Sequence, residues 1–562
     1  MILAVLVAAL GYLDLAEIAV KAYDDAHMEA YVREAETVGV QEHGFPRLAS
    51  NLGRLVAAGR MTEKKPILER MMTVACACAR KGRMPPKSGG NEFSVRELVS
   101  AVMALEKAGT FPAEKIASWK SDLAAVDAYG CYTSAKYELN ASTGRNWPLF
   151  GAASEQARIH YGLGGDKKFV EDWVSDQLRH FDRNGMYRDP HEPSVYDFIG
   201  RLCYMQILHF GYDGPCRAKV EEALIASAEP TLAMLSACGE IPFGGRSNQF
   251  LHNNTMYAAV AEWYAAFFAK RGDAMTAARF RSAAARAIAA LEPWVKDSQV
   301  FHVKNRFPKP ETNGARNVDQ KWFGCEGYAY FDKYMVTMGS WAALADEFAE
   351  AHPPPEASVK VDPGVFETSP AFHWVFMTAG GYSAQFDYAA NPQYDCDGLG
   401  RIHRRGAPPQ ICLSTPCVKN PRYWIEETNL VDLAIAPVLP GKLEFVKSES
   451  LADRAVTEWK VGDQVWRCTL SADGMEMELS GPDAVALSLP VFEFDGEEHA
   501  TVCREERRVS IAYRGWRCAY ETDGALAATG LSAENRNGRY LRFEARGRRA
   551  LKVRVEIVRE ER

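Results

Sequence analysis

The sequence predicts an α+β multidomain fold: an (α/α) toroid of helical hairpins over residues 1–352, a proline-rich linker over 353–360, and an antiparallel β-sandwich or sheet domain over 361–562. Three observations predict it. Apolar residues recur at helical spacing from about residue 12 to about residue 350. Long polar loops alternate with short turns such as GLGGDKK and KRGDA between these segments. After HPPPEASVKVDPG the hydrophobic period becomes two, as in Val553, Val555 and Ile557 set against Lys552, Arg554 and Glu556.

At 562 residues the chain is too long for one ordinary core. The apolar start, MILAVLVAALGYLDLAE, has no basic leader and is too short to span a bilayer, so it reads as a first buried helix. The expected location is cytoplasmic as written, or periplasmic or secreted if a signal was trimmed. Helices are expected over 92–108, 113–127, 147–162, 168–181, 194–211, 215–237, 254–271, 273–291 and 327–350. Those starting near 92, 147, 194, 254 and 327 each follow a long loop, so they are the expected inner helices, with a mouth at their N-termini. In the C-terminal part, SADGMEMELS carries a hairpin turn signal.

The net charge of −7 removes the basic excess of a nucleic-acid binder, so an anionic partner needs a local basic pocket. The 13 cysteines show no zinc spacing, and Cys76 and Cys78 lie in a helical pattern. Walker, GxSxG and HExxH motifs do not occur in the sequence. No cofactor is required. His191, Asp189, His403 and Asp397 are the residues a structural Ca²⁺ or Zn²⁺ would use, but no spacing demands a metal.

The richest polar segment is GEIPFGGRSNQFLHNNTMY, which places Arg246, His252, Asn253 and Asn254 before a helix and Tyr257 one turn into it. A plainer reading makes Asn253 or Asn254 an N-cap and Tyr257 a packed aromatic. Asn146 and Trp147 open one inner helix; His191 and Tyr196 precede another with Asp189 and Asp197; Glu326 and Tyr330 open a third. His403 sits among Arg401, Arg404 and Arg405 in the β domain, either as a site residue or as a solvated basic strand end.

Taking the C5 proton of a uronic acid requires donors that neutralise its carboxylate, and a base within reach. Arg246, His252, Asn253, Asn254 and Tyr257 supply these parts. Tyr257 is the expected acid and a candidate for the base as well, with His252 as the alternative base. Asn146, Trp147, His191, Tyr196, Glu326, Tyr330 and His403 are the expected substrate contacts. Hydrolysis would instead need two carboxyl groups, drawn from Asp189, Asp197, Glu240, Glu326 and Asp332.

HNNTMY and GGYSAQFDYAANPQYDCDGLGRIHRRG resemble the corresponding parts of the toroid-plus-sheet polysaccharide lyases, the heparinase II/III-like and alginate lyase group. That resemblance implies β-elimination on an anionic oligo- or polysaccharide, with Asn/His neutralisers, a Tyr from the toroid and a His from the β domain. Where some members have an Asn-His pair, this chain reads HNN. RNWPLFGAAS, NGMYRDPHEPSVYDF and IPFGGRSNQF resemble β-glucuronidases of glycoside hydrolase family 154, which implies hydrolysis of a glucuronide. A glycan-binding protein without catalysis is the third expectation. None of the three involves a nucleic acid or a membrane.

Overall fold

The computed structural model describes residues 10–82, 84, 90–296, 299–301, 303–307, 331–349 and 363–560. Its helices are α1 (Tyr12–Lys21), α2 (Asp25–Val38), α3 (Gly44–Ala57), α4 (Lys65–Ala79), α5 (Val95–Lys107), α6 (Ala113–Ala124), α7 (Ala128–Cys131), α8 (Asn146–His160), α9 (Lys167–Leu178), α10 (Ser194–His209), α11 (Arg217–Ala226), α12 (Ala228–Met234), α13 (Leu251–Lys270), α14 (Ala274–Ala289) and α15 (Phe331–Ala349). Helices α3, α5, α8, α10, α13 and α15 pack side by side in that order, and α15 returns to α3, so the ring closes. Helices α4, α6, α9, α11 and α14 cover it from outside, and α1 covers α15.

Four of these inner helices begin near the expected positions, and α15 is described from Phe331 onward; α3 is the sixth, beyond the five starts read from the sequence. Two further differences have local causes. The single helix expected over 215–237 is split at Ser227 into α11 and α12. Pro230 lacks an N–H and its ring would clash with the carbonyl four residues back, so the first helix cannot run through. Helix α13 starts at Leu251, three residues before the expected start, with Phe250 as its N-cap. Neither Asn253 nor Asn254 caps it.

The inside of the ring is polar. Arg47 Nε lies 3.3 Å from Glu97, and Arg47 Nη1 donates to Thr337 Oγ1 at 2.7 Å. Arg96 Nη2 donates to the same Glu97 at 2.7 Å. Both guanidinium groups lie over the Trp341 ring, at 5.7 and 5.4 Å. Where α10 meets the junction of α11 and α12, Arg201 and Asp197 form a doubly bonded pair with neither side chain exposed, and Arg201 also donates to Thr231 Oγ1. At the far end, Arg54 and His209 converge on Glu347, at 2.6 and 2.9 Å.

The strands from Gly364 onward pair antiparallel throughout. They are β3 (Gly364–Glu367), β4 (Trp374–Ala379), β5 (Tyr382–Asp387), β6 (Gly398–Arg404), β7 (Ala436–Pro437), β8 (Glu444–Ser450), β9 (Arg454–Val461), β10 (Gln464–Ser471), β11 (Gly474–Ser480), β12 (Val485–Phe494), β13 (Thr501–Arg504), β14 (Arg508–Tyr513), β15 (Trp516–Thr522), β16 (Ala525–Asn535), β17 (Gly538–Gly547) and β18 (Ala550–Arg559). A short hairpin, β1 (Val295–Lys296) with β2 (Gln299–Val300), lies in the toroid part.

One sheet runs β13-β14-β15-β18-β11-β10-β9-β8; two smaller ones run β3-β4-β5-β6 and β16-β17-β12-β7. Alternate residues of β18, including Val553, Val555 and Ile557, enter the sandwich core, as their period of two requires. In the β10–β11 hairpin Gly474 takes φ +117, and a Cβ there would stand 2.2 Å from the Val555 carbonyl. The β3–β6 sheet is buried on both faces: Ala384, Phe386 and Ile402 join the sandwich core, while Ser383, Gln385, Arg401 and His403 bond the loop at 236–243 of the toroid.

The Glu347 cluster makes the fold acid-sensitive. Burial alone would raise the Glu347 carboxyl, but Arg54 and His209 outweigh it and hold it at about 2. Its pKa therefore lies below the unfolded value. The resulting stability is present above about pH 4.5 and is lost as pH falls toward 2. Chemical denaturation across that window should lose up to about 3 kcal/mol at ~1.4 kcal/mol per pH unit. Glu347→Gln should flatten the dependence.

Candidate active site

The N-terminal ends of the inner helices meet at one rim, and their side chains form a connected arc. Trp147, at the start of α8, meets Phe93 edge-on at 5.1 Å. Phe93 stacks on His43 at 5.3 Å, and His43 meets Tyr334 of α15 edge-on at 6.2 Å. Tyr334 then stacks on His252 of α13, with ring centres 5.3 Å apart. Trp147, Phe93 and Tyr334 are only partly buried, whereas His43 and His252 are 5% exposed. Trp147 also lies 6.2 Å from Tyr137, whose face is covered by Arg145 at 4.9 Å.

A second group adjoins Trp147. Asn146 Nδ2 donates to Asp189 Oδ1 at 2.8 Å, and Arg246 pairs with the other oxygen of Asp189. Arg246 also donates to the Pro190 carbonyl at 2.6 Å and lies 4.2 Å over the Tyr196 ring. Burial pushes the Asp189 carboxyl above its ordinary range, against the pull of Arg246 and Asn146. Asn146, Tyr196 and Arg246 are thus brought together as the sequence suggests, and Trp147 with them. His191 is an exposed loop residue in the left-handed region, φ +67, two residues beyond Asp189.

The segment before α13 is fixed from the β domain. Asp395 accepts from the Gly245 N–H at 2.5 Å and from Asn248 Nδ2 at 3.4 Å. Arg536 donates to the Asn248 carbonyl at 2.9 Å and is held between the Phe250 and Tyr423 rings, 4.8 Å from each. Asn253 Nδ2 donates to the Ser247 carbonyl at 2.6 Å, so Asn253 ties the loop to the helix.

Three expected site residues lie elsewhere. The Tyr257 hydroxyl donates to the Thr231 carbonyl at 2.8 Å, the side chain is fully buried against Phe198, and burial raises its pKa. Asn254 donates to the Gly239 and Ala287 carbonyls at 3.1 and 2.9 Å and accepts from Lys304 at 2.7 Å. His403 is neither a solvated strand end nor a mouth residue. Its Nδ1 is 3.0 Å from Ser236 Oγ, and burial, with Arg401 beside it, lowers its pKa well below the ordinary value and keeps it neutral. Glu326 and Tyr330 lie outside the described residues, as do Trp322 and Tyr328.

Among the described residues no group of three His, Cys, Asp or Glu side chains is placed to hold a metal. No described helix is long and apolar enough to cross a membrane. His43 and Tyr334 are mouth residues that the sequence reading missed. A His directly before the GFP entry of α3 is a weak signal, and Tyr334 is one of several aromatics in α15.

No family model and no curated protein matches the chain. Among solved structures it is similar to chondroitin AC lyase of Streptomyces coelicolor A3, at 12% identity over 97% of this chain and 82% of that one, TM-score 0.44. It is similar to a Paenibacillus xanthan lyase, at 9% identity over 98% of this chain and 57% of that one, TM-score 0.46. It is also similar to a GH127 β-arabinofuranosidase, at 10% identity over 98% of both chains, TM-score 0.38. The resemblances expected from the sequence, to polysaccharide lyases and in part to glycoside hydrolases, have counterparts here.

Tyr257→Phe separates a packing role from a chemical one. Removing the hydroxyl leaves the buried Thr231 carbonyl without that donor, which should cost about 1–3 kcal/mol in denaturant titration. Turnover of the folded variant should stay near wild type. A full loss of turnover at unchanged stability would return Tyr257 to the chemistry.

Proposed function

We propose that this chain cleaves a uronate-containing glycan by β-elimination at the rim of the helical ring, with His252 and Tyr334 as the proton-transfer pair. The observation that carries this reading is their stacked contact at 5.3 Å, with His43 edge-on to the same Tyr334. Elimination needs a base for the C5 proton and an acid for the leaving oxygen, both on one small patch. A tyrosine is protonated at neutral pH, and an adjacent imidazole is a base of suitable strength. The two rings supply both without a carboxylate.

Charge supports an anionic substrate. In the ring interior, two guanidinium groups, Arg47 and Arg96, are bonded to one carboxylate, Glu97. Arg47 donates to the Phe93 carbonyl at the rim, at 3.1 Å, so this positive interior lies directly beneath the arc. A uronate carboxylate at the mouth would be drawn to it. Asn146 and Arg246 would fix the sugar from the side, with Trp147 as its platform. In this reading Tyr334 takes the part expected of Tyr257.

Hydrolysis is the second reading, and Asp189 is the observation that favours it: a buried carboxyl with a raised pKa at the mouth is suited to general acid work. A panel of uronate glycans followed by ultraviolet absorbance of the C4=C5 bond distinguishes the two. The expected outcome is an unsaturated product, with turnover reduced about 100- to 10,000-fold in Tyr334→Phe at unchanged fold. Saturated products, with activity lost in Asp189→Asn but kept in Tyr334→Phe, would replace elimination by hydrolysis.

A further inference from the structure

Away from the mouth, where α14 faces the β3–β6 sheet, a cavity of about 610 Å³ is lined by Arg286, Arg306, Arg405, Arg514, Trp294 and Gln410 among others. Arg286 and Arg405 also line a neighbouring cavity of about 390 Å³. Arg514 is satisfied by Glu498 at 2.8 Å and Asp495 at 3.1 Å. Among the described residues the other three donate no hydrogen bond to a carboxylate. Among the described residues Arg286 and Arg405 have no carboxylate partner within ion-pair distance, and Arg405 acts on Arg286 as a like charge.

Arg306 is 5% exposed and is pinned by its 3.8 Å contact over the Trp294 ring. Its Nη1 donates no hydrogen bond among the described residues, and its two carboxylate neighbours, Asp495 and Glu497, each stand 3.8 Å away, beyond hydrogen-bond distance. The carboxylates on the wall do not fill the gap. Glu240 is taken by Lys304, and Glu292 is exposed.

We infer that this cavity is a binding site for a small oxyanion-bearing ligand, held by Arg286, Arg405 and Arg306. Arg286 and Arg405 converge on this cavity without counter-charges among the described residues, and the buried Arg306 guanidinium beside them keeps an unused donor, which is costly unless an acceptor arrives. The volume suits one sugar-sized molecule. Guanidinium groups bind sulfate and carboxylate alike, each through paired N–H donors. The site is independent of the reaction at the mouth: the buried layer of Tyr257, Asn254 and Lys304 belongs to neither surface.

The test is calorimetric titration of the full chain with inorganic sulfate, with glucuronate and with glucose as the neutral control. Sulfate, glucuronate or both should bind saturably, glucose should not, and added salt should weaken the binding. Binding of both probes points to a sugar acid or sulfated sugar as occupant; binding of sulfate alone points to a free oxyanion. Arg286→Gln with Arg405→Gln should weaken binding at least about tenfold, while Tyr334→Phe leaves it unchanged. Both substituted arginines reach solvent, and a thermal melt confirms that the variant folds; Arg405→Gln alone, at an exposed position, should give a smaller loss in the same direction. No saturable binding in the wild type, or equal binding in the double variant, overturns the inference.

Discussion

The grip of the β domain on the loop between Pro242 and Phe250 is the constraint from which the mouth follows. Ser247 and Gln249 both adopt left-handed backbone, φ +72 and +62, which side-chain-bearing residues rarely hold without support. Asp395 supplies two bonds to this loop and Arg536 a third, while the Gln249 carbonyl accepts from Lys304 N–H at 2.8 Å. Gly244 lets the backbone pass Trp374, where a Cβ would meet the indole at 2.3 Å. Once the loop is fixed, Phe250 caps α13, and His252 falls opposite Tyr334. The toroid forms the ring, but the sheet domain sets where one of its six inner helices begins. Domain contact and site geometry are therefore a single feature.

The sequence carried the periodicities well, because each rests on local burial. Helical spacing located most inner helices, and the alternation in β18 located a strand of the sandwich. The GGRSNQF loop stood out as polar residues packed before an apolar helix, and its Arg246 does lie at the rim. What it could not reveal was which way α13 faces. From Leu251 through Phe267 every residue of that helix is buried, so it has no polar stripe to mark the side that lines the mouth. Tyr257 shares a face with Asn253 at four residues' spacing, yet it lies a full turn deeper, where Phe198 and Thr231 enclose it. The His43–Tyr334–His252 contact joins three helices distant in sequence, and no spacing rule connects them.

The two charged groups of the toroid serve different ends. Arg201 and Asp197 are matched one to one, fully enclosed, and further bonded by the Tyr187 N–H at 2.7 Å. Removing either partner would leave a buried charge alone, so this pair acts as a structural lock. The group beneath the rim is unmatched, because Arg47 and Arg96 bond the same Glu97. Arg96 Nη1 donates no hydrogen bond among the described residues, and its guanidinium instead lies over Phe150 and Trp341. Aromatic faces stabilise a cation less than a carboxylate does. Among the described residues this positive surplus lies just beneath the rim, which suits a binding surface better than a core.

The carboxylates bear on the reaction in the opposite sense. Hydrolysis requires two carboxyl groups that are free to exchange protons on either side of the scissile bond. Asp197 is locked by Arg201. Glu240 is paired with the buried Lys304. Asp332 lies 3.3 Å from His27, on the α2 side of α15. Of the described candidates Asp189 lies at the rim, and it already accepts from Asn146 and pairs with Arg246. A carboxylate held by a guanidinium favours its ionised form, so it serves better to orient Arg246 and Asn146 than to donate a proton. Burial works against that preference, and Asp189 is poised between the two roles. The His252–Tyr334 pair instead sets an imidazole and a phenol ring to ring at 5.3 Å on the rim, and that contact is why elimination is the reading proposed for it.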